Sequence, residues 1–189
     1  NPVGLLQDVN VLHRRAGGVP VTMQVSEVFT ALQTGALDAT EFVSPYNDLA
    51  AGYHTVADYY YYPGWHEPGS TLEAIFNKER FEALPEDLQA ILITGTEMMN
   101  QLLLDELTAK NNEALRVLVE DHGVQLRRLP DDVLIELRTI SDEVVEEMAQ
   151  ADEATAEVYA SWKTFKEGVM NYNSIAEEAF IEARKLSSN

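Results

Sequence analysis

The chain has 189 residues, 46% of them apolar, with 13 Lys and Arg against 32 Asp and Glu for a formal net charge of −19. Such a chain is long enough for one or two domains with a substantial core, and too apolar to be disordered. The acidic balance keeps the protein soluble and argues against nucleic acid and anionic membranes, which are bound through Lys and Arg. It does not exclude a small anionic ligand, because local groups overrule the global field at close range. There is no cysteine, hence no disulfide or thiol chemistry, and no run of about 18 apolar residues to span a membrane. No leader is visible, and the opening Asn1-Pro2-Val3 reads as a piece of a longer polypeptide.

Residues 5–16 place Leu5, Leu6, Val9 and Leu12 at helical spacing, and end in Arg14-Arg15 and then Gly17-Gly18. Basic residues followed by glycine suit a helix C-terminus, with the arginines solvated and complementing the dipole. Val19 to Met23 reads as a short strand. A helix follows over about 26–34, with Ser26 as its cap, Val28, Phe29 and Leu32 as its apolar stripe, and Gly35 as its left-handed stop. The segment 36–42 is then expected to be a strand packing Leu37, Ala39 and Phe42 inward, which completes a βαβ-like passage. Glu41 leaves that strand at its carboxyl end, where open α/β sheets place ligand crevices.

Ser44-Pro45 starts a short helix, with Ser as cap and Pro at the first helical position. Over 58–77 the composition shifts to Tyr59-Tyr60-Tyr61-Tyr62-Pro63-Gly64-Trp65-His66-Glu67-Pro68-Gly69, with Leu72, Ala74 and Phe76 beyond. This predicts a strand, an aromatic loop that forms a pocket wall, and another strand. Leu84-Pro85-Glu86-Asp87 opens a long helix with Leu88, Ile91, Leu92, Met98, Leu102 and Leu103 as its core stripe, stopped at His122-Gly123. Val124 to Leu129 forms one more strand.

Pro130-Asp131-Asp132 starts a helix carrying Val133, Leu134, Leu137, Ile140, Val144, Val145 and Met148. A last helical segment runs from about Asp152 to Leu186 with Val158, Tyr159, Trp162, Phe165, Val169, Tyr172, Ile175 and Phe180. So long a pair of amphipathic helices needs a partner surface, from this chain or another.

No catalytic constellation stands out. His13, His54, His66 and His122 lack metal-ligand spacing, and there is no nucleophile elbow or phosphate-binding glycine loop. The glycine pair at 17–18 is a helix stop. Two readings stand open for Glu41: a ligand to a hard cation together with neighbouring backbone carbonyls, or a solvated glutamate beside the Ser44-Pro45 cap. His66 and Glu67 are either structural loop residues or a second pair of site groups. Trp65 and Tyr59 to Tyr62 are either core or binding platform.

The stretches Ala31-Leu32-Gln33-Thr34-Gly35-Ala36-Leu37-Asp38-Ala39-Thr40-Glu41-Phe42, Pro45-Tyr46-Asn47-Asp48 and Tyr60 through Gly69 closely resemble the substrate-binding proteins of tripartite ATP-independent periplasmic (TRAP) transporters. Glu178-Ala179-Phe180 and Ala183-Arg184 fit the family's ending. The likeness is to the DctP-type branch that binds 2-oxo acids such as pyruvate and related monocarboxylates.

The resemblance implies a helix-rich α/β fold, part of a two-lobed periplasmic-binding-protein-like architecture with long C-terminal helices. Residues 1–40 would be part of the second lobe. Residues 41–77 would be crossover strands and an aromatic loop of the first lobe or hinge. Residues 78–189 would be the helical remainder of the second lobe, with dimerisation helices. It further implies a sodium or calcium ion bridging the ligand carboxylate, held by the Glu41 carboxylate, the Phe42 carbonyl and Glu67. Phe42, Trp65 and His66 would line the substrate.

The implied function is capture of a small organic acid and delivery to membrane permease subunits, in the periplasm, by a homodimer, without catalysis and without nucleic acid. Two departures stand out. Family members run to well over three hundred residues, so most of the first lobe is missing, and the anchoring arginine is expected where Asn1-Pro2-Val3-Gly4 stands. A helical scaffold built on the C-terminal helices is the alternative. An enzyme acting on a carboxylic acid would have only His66 as its acid or base.

Overall fold

The computed structural model describes residues 10–65 and 73–186. The fold divides into two compact units, one built from Asn1–Pro20 with Ile135–Asn189, the other from Val21–Leu134.

In the second of these, α2 (Val25–Thr34) ends as its sequence requires: Gly35 adopts φ 73°, and the capping N–H reaches the carbonyls of Ala31 and Leu32. Its N-terminus differs from expectation, because Gln24 occupies the cap position and Ser26 lies inside the first turn. α3 (Pro45–Ala51) has Ser44 at its cap position and Pro45 at the first helical position. The Ser44 hydroxyl bonds the Asn47 side chain at 2.9 Å instead of a backbone N–H. Gly52 closes α3 in the left-handed region, and a 3-10 turn, Tyr53–Thr55, follows.

The strands β1 (Tyr59–Tyr62) and β2 (Gln125–Arg128) pair in parallel, Tyr59 with Gln125 and Tyr62 with Arg128. Between them lie the short α4 (Lys78–Glu82) and the 31-residue α5 (Glu86–Arg116), which passes into a π-helical turn, Val117–Asp121. Gly123, at φ 72°, then frees the chain to enter β2. A helix of that length spans roughly 46 Å, and only its C-terminal end is well packed. Ala114 and Leu118 are buried, while Leu88, Ile91, Met98 and Leu102, expected as core, are exposed.

α5 is fastened to α3 near that packed end. The Tyr46 N–H donates to Asn111 Oδ1 at 3.0 Å. Lys110 Nζ donates to the Tyr46 hydroxyl at 3.2 Å and lies 4.6 Å from the Tyr46 ring centroid.

In the other unit, residues 10–15 form a helical turn, α1. α6 (Asp131–Ala149) belongs to this unit from Ile135 onward and buries Ile140, Val144 and Ala149. The i, i+4 spacing of Ile140 and Val144 is the stripe read from sequence. Arg15 holds Glu147 in a two-pronged ion pair, Nη1 to Oε1 at 3.0 Å and Nη2 to Oε2 at 2.5 Å. α7 (Glu153–Ile175) starts on Asp152, whose carboxylate accepts the Thr155 N–H at 2.8 Å.

The single helix expected over 152–186 is broken. Ala176 has φ −104° and ψ −97°, and α8 (Glu177–Ala183) begins after it. Asn171, Asn173 and Ser174 precede the break, and the Ser174 hydroxyl donates to the Asn171 carbonyl at 2.8 Å. Short polar side chains of this kind compete with the backbone ladder and favour helix ends.

Three predicted strands are irregular. Residues 19–23 and 36–42 form neither helix nor strand, nor do 73–77. Pro20 removes a donor near the start of the first, and Val19 and Val21 are exposed. In the second, a strand would place Leu37 and Ala39 on the same face as Glu41 and turn Phe42 to the other, so the apolar set does not share a face. In the third, Ile75 is exposed and Asn77 caps α4, accepting the Arg80 N–H. The other part of that prediction, at Leu72, lies outside the described residues.

Candidate functional site

Glu41 and Phe42 sit on the irregular segment 36–44, between the glycine stop of α2 and the start of α3. Glycine is needed at that stop because the left-handed backbone carries the chain out of the helix and toward Glu41. The segment is anchored through Phe42, whose half-buried ring meets Tyr53 edge to face, with centroids 5.4 Å apart at 88°. Glu41 next to it is exposed, and its carbonyl accepts the Thr40 hydroxyl at 3.1 Å.

Behind these residues lies a polar cluster. Asp48, on α3, is buried to 8% exposure. Its Oδ2 accepts the Tyr60 hydroxyl from β1 at 2.5 Å. Burial pushes the Asp48 carboxyl above the usual carboxylate range, while the hydrogen bond from Tyr60 and the nearby Val43 backbone N–H oppose that shift. Burial foremost, and then the Asp48 carboxylate, hold the Tyr60 phenol protonated far above its ordinary range. The negative charge of Glu41 adds to the effect, which ties Glu41 electrostatically to the cluster.

Tyr53 is buried as well, and its phenol is raised by burial and by Asp48. The ring of His54, next in the chain, stacks on His122 with centroids 4.1 Å apart. Burial, then His122, depresses the affinity of His54 for its proton.

Of the residues proposed from sequence, Glu41 and Phe42 are adjacent on one exposed segment. Trp65 is half-buried, three residues beyond the end of β1 and past a cis Tyr62–Pro63 bond. His66 and Glu67 lie outside the described residues. Among the described residues no group of three or more His, Cys, Asp or Glu side chains is placed to hold a metal ion. Among the described residues, Glu41 therefore offers one carboxylate beside backbone carbonyls, donors of the type that suit a hard cation such as sodium or calcium. The backbone of 36–43 supplies such carbonyls outside any helix or sheet ladder, whereas the Ser44 carbonyl already accepts the Asp48 N–H in the first turn of α3.

The sequence motifs contain Asp48 without pointing to a role for it, and Tyr60 only as core or binding platform. The available signal was an acid inside a short helix that otherwise ends Leu49-Ala50-Ala51, which places it among apolar neighbours.

Comparison with known proteins identifies the chain's family. Residues 9–152 match the family described as bacterial extracellular solute-binding protein, family 7, or DctP. A monocarboxylate 2-oxoacid-binding periplasmic protein of Nostoc sp. is 36% identical over 154 residues, covering 82% of this chain and 42% of the relative. A TRAP transporter solute-binding protein of Bordetella bronchiseptica, solved as a dimer with calcium and picolinate in one active site, superposes with a TM-score of 0.86 at 28% identity. The match covers 93% of this chain and 52% of that one.

A TRAP periplasmic solute-binding protein of Pseudoalteromonas atlantica, with bound sodium and pyruvate, gives a TM-score of 0.81 at 33% identity. It covers 90% of this chain and 51% of the other. The chain thus spans about half the length of the proteins it resembles. Its helix-rich α/β fold is theirs, and it belongs to the DctP family of TRAP solute-binding proteins.

Proposed function

We propose that this chain carries the cation-holding part of a receptor site for a small organic acid, a 2-oxo acid such as pyruvate or a related monocarboxylate. The observation that carries the reading is the pairing of Glu41 and Phe42 on irregular backbone, fixed by the Phe42–Tyr53 contact and leaving the Glu41 carboxylate exposed. The Glu41 carboxylate and the Phe42 carbonyl are assigned to a sodium or calcium ion, with Glu67 as a further ligand. When bound, that ion supplies the positive charge that an acidic chain needs in order to hold a carboxylate. Phe42, Trp65 and His66 are assigned to the walls around the acid. Relatives named for 2-oxoacids, or solved with calcium or sodium beside picolinate or pyruvate, support this reading.

In this proposal the protein acts in the periplasm without catalysis and delivers its ligand to membrane permease subunits. It does so as a homodimer through the C-terminal helices. Exposed Val158, Trp162 and Phe165 line an open hollow on α7 and support that last element. The division into second-lobe residues 1–40, a crossover and aromatic loop at 41–77, and a helical remainder at 78–189 belongs to the same proposal.

The test is thermal melting with pyruvate, with calcium or sodium, and with both together. A ligand that binds only the folded state raises the midpoint by mass action. The expected result is a rise that needs acid and cation together and that Glu41→Ala removes. No rise under any condition, or a rise that Glu41→Ala leaves intact, overturns the assignment of the site.

A further inference from the structure

Beside Tyr53, which anchors Phe42, lies a small, partly open cavity of about 30 Å³, lined by Asp48, Tyr53, His54, Tyr60, Leu118 and Val124 among others. Two of its lining residues carry buried polar atoms with no hydrogen-bond partner, Asp48 Oδ1 and His54 Nδ1. An unpartnered buried polar atom costs on the order of 1–3 kcal/mol, and two of them on one cavity wall call for a common partner.

The volume identifies it. One water needs roughly 10–15 Å³ of such space and two to four polar neighbours. A cavity of about 30 Å³ meets that requirement and is too small for an organic ligand. A metal ion fits less well, because among the described residues no three metal-ligating side chains converge. We propose that one ordered water occupies this cavity and bridges Asp48 Oδ1 to His54 Nδ1.

The hydrogen-bond inventory closes around such a water. Asp48 Oδ2 is already taken by the Tyr60 hydroxyl, so Oδ1 accepts from the water. Water both donates and accepts, so it satisfies His54 Nδ1 in either tautomer. The bridge joins α3, the 3-10 turn and β1 into one polar network, with Asp48, His54 and Tyr60 each drawn from a different element. Tyr53 both lines the cavity and anchors Phe42. The water therefore belongs to the support beneath the proposed cation ligands, while its existence depends on none of them binding anything.

A crystal structure of the full chain, without added acid or cation, tests the bridge directly. Expected is one density peak within about 3.2 Å of both Asp48 Oδ1 and His54 Nδ1. An empty cavity, or direct contact between the two side chains, overturns it. In solution a long-lived buried water gives a nuclear Overhauser effect to the Ala57 methyl, another cavity-lining group. That signal should be present in the wild type and lost in His54→Phe, which keeps a ring and removes the nitrogen. Its absence from the wild type, or its persistence in a folded His54→Phe, overturns the assignment.

Discussion

The Tyr60 hydroxyl donates to Asp48 Oδ2 at 2.5 Å, and it does so from a strand to a helix twelve residues earlier in the chain. Tyr60→Phe should remove that donor while keeping the ring, leaving a buried carboxylate oxygen unpaired. Urea unfolding should then show a loss of about 1–3 kcal/mol. Asp48→Asn keeps an oxygen acceptor for Tyr60 and removes the buried charge, so it should cost less than Tyr60→Phe. The reverse order would mean that the carboxylate charge, and not the hydrogen bond, stabilises the cluster.

Glu41 and Phe42 separate the two roles assigned to their segment. Glu41→Gln retains size and one oxygen but loses the charge. It should weaken calcium binding by at least about tenfold, a loss common even for outer-shell partners of a metal. Phe42→Leu keeps the backbone carbonyl and loses the ring on Tyr53. It should cost about 0.5–1.5 kcal/mol of stability and leave the calcium response in place. Isothermal titration together with unliganded melting curves reads both effects.

His54 should make the fold sensitive to mild acid. Its folded form binds a proton less readily than the ordinary value of 6.5 implies, through burial and the facing His122. Just below that pH the unfolded chain holds more protons than the folded one, so stability falls as pH falls. One proton limits the slope to about 1.4 kcal/mol per pH unit, and solvent screening lowers it further. Asp48, Tyr53 and Tyr60 share the cavity with His54. The Asp48 shift has the opposite sign, because its folded carboxyl keeps its proton more firmly than the ordinary value of 3.8 implies. Melting curves between about pH 7.5 and 5.5 should therefore flatten in His54→Gln.

The Arg15–Glu147 pair is bidentate but exposed, with Arg15 drawing the Glu147 carboxyl below its usual range. Exposed pairs are screened by salt. Arg15→Ala should produce only a small drop in melting temperature, and that drop should shrink further in molar salt.

The α7 hollow gives the last expectation. Val158 and Phe165 are 69% and 71% exposed, and Trp162 is 45% exposed. If these residues form the dimer contact, Phe165→Glu should shift sedimentation from dimer to monomer at micromolar protein while the far-ultraviolet circular dichroism stays unchanged. Unaltered association would place the dimer contact elsewhere.

Local signals in the sequence were sufficient at some helix ends. Gly35 ends α2 in the left-handed region and Pro45 opens α3, because each choice is set within a turn of the backbone, whereas Ser26, read as a cap, lies inside α2 after Gln24. The stripe of Ile140 and Val144 was legible for the same reason. The family, too, was legible from the contiguous run ending in Glu41-Phe42 and from the aromatic run from Tyr60.

What the tertiary structure alone decided depends on partners distant in sequence. A strand exists only where another strand meets it, so Tyr59–Tyr62 pairs with Gln125–Arg128 while 36–42 stays irregular. Likewise, Asp48 is a buried acid paired with the Tyr60 hydroxyl only once β1 meets α3. Burial and pairing are properties of the folded neighbourhood, and no spacing along the chain encodes them.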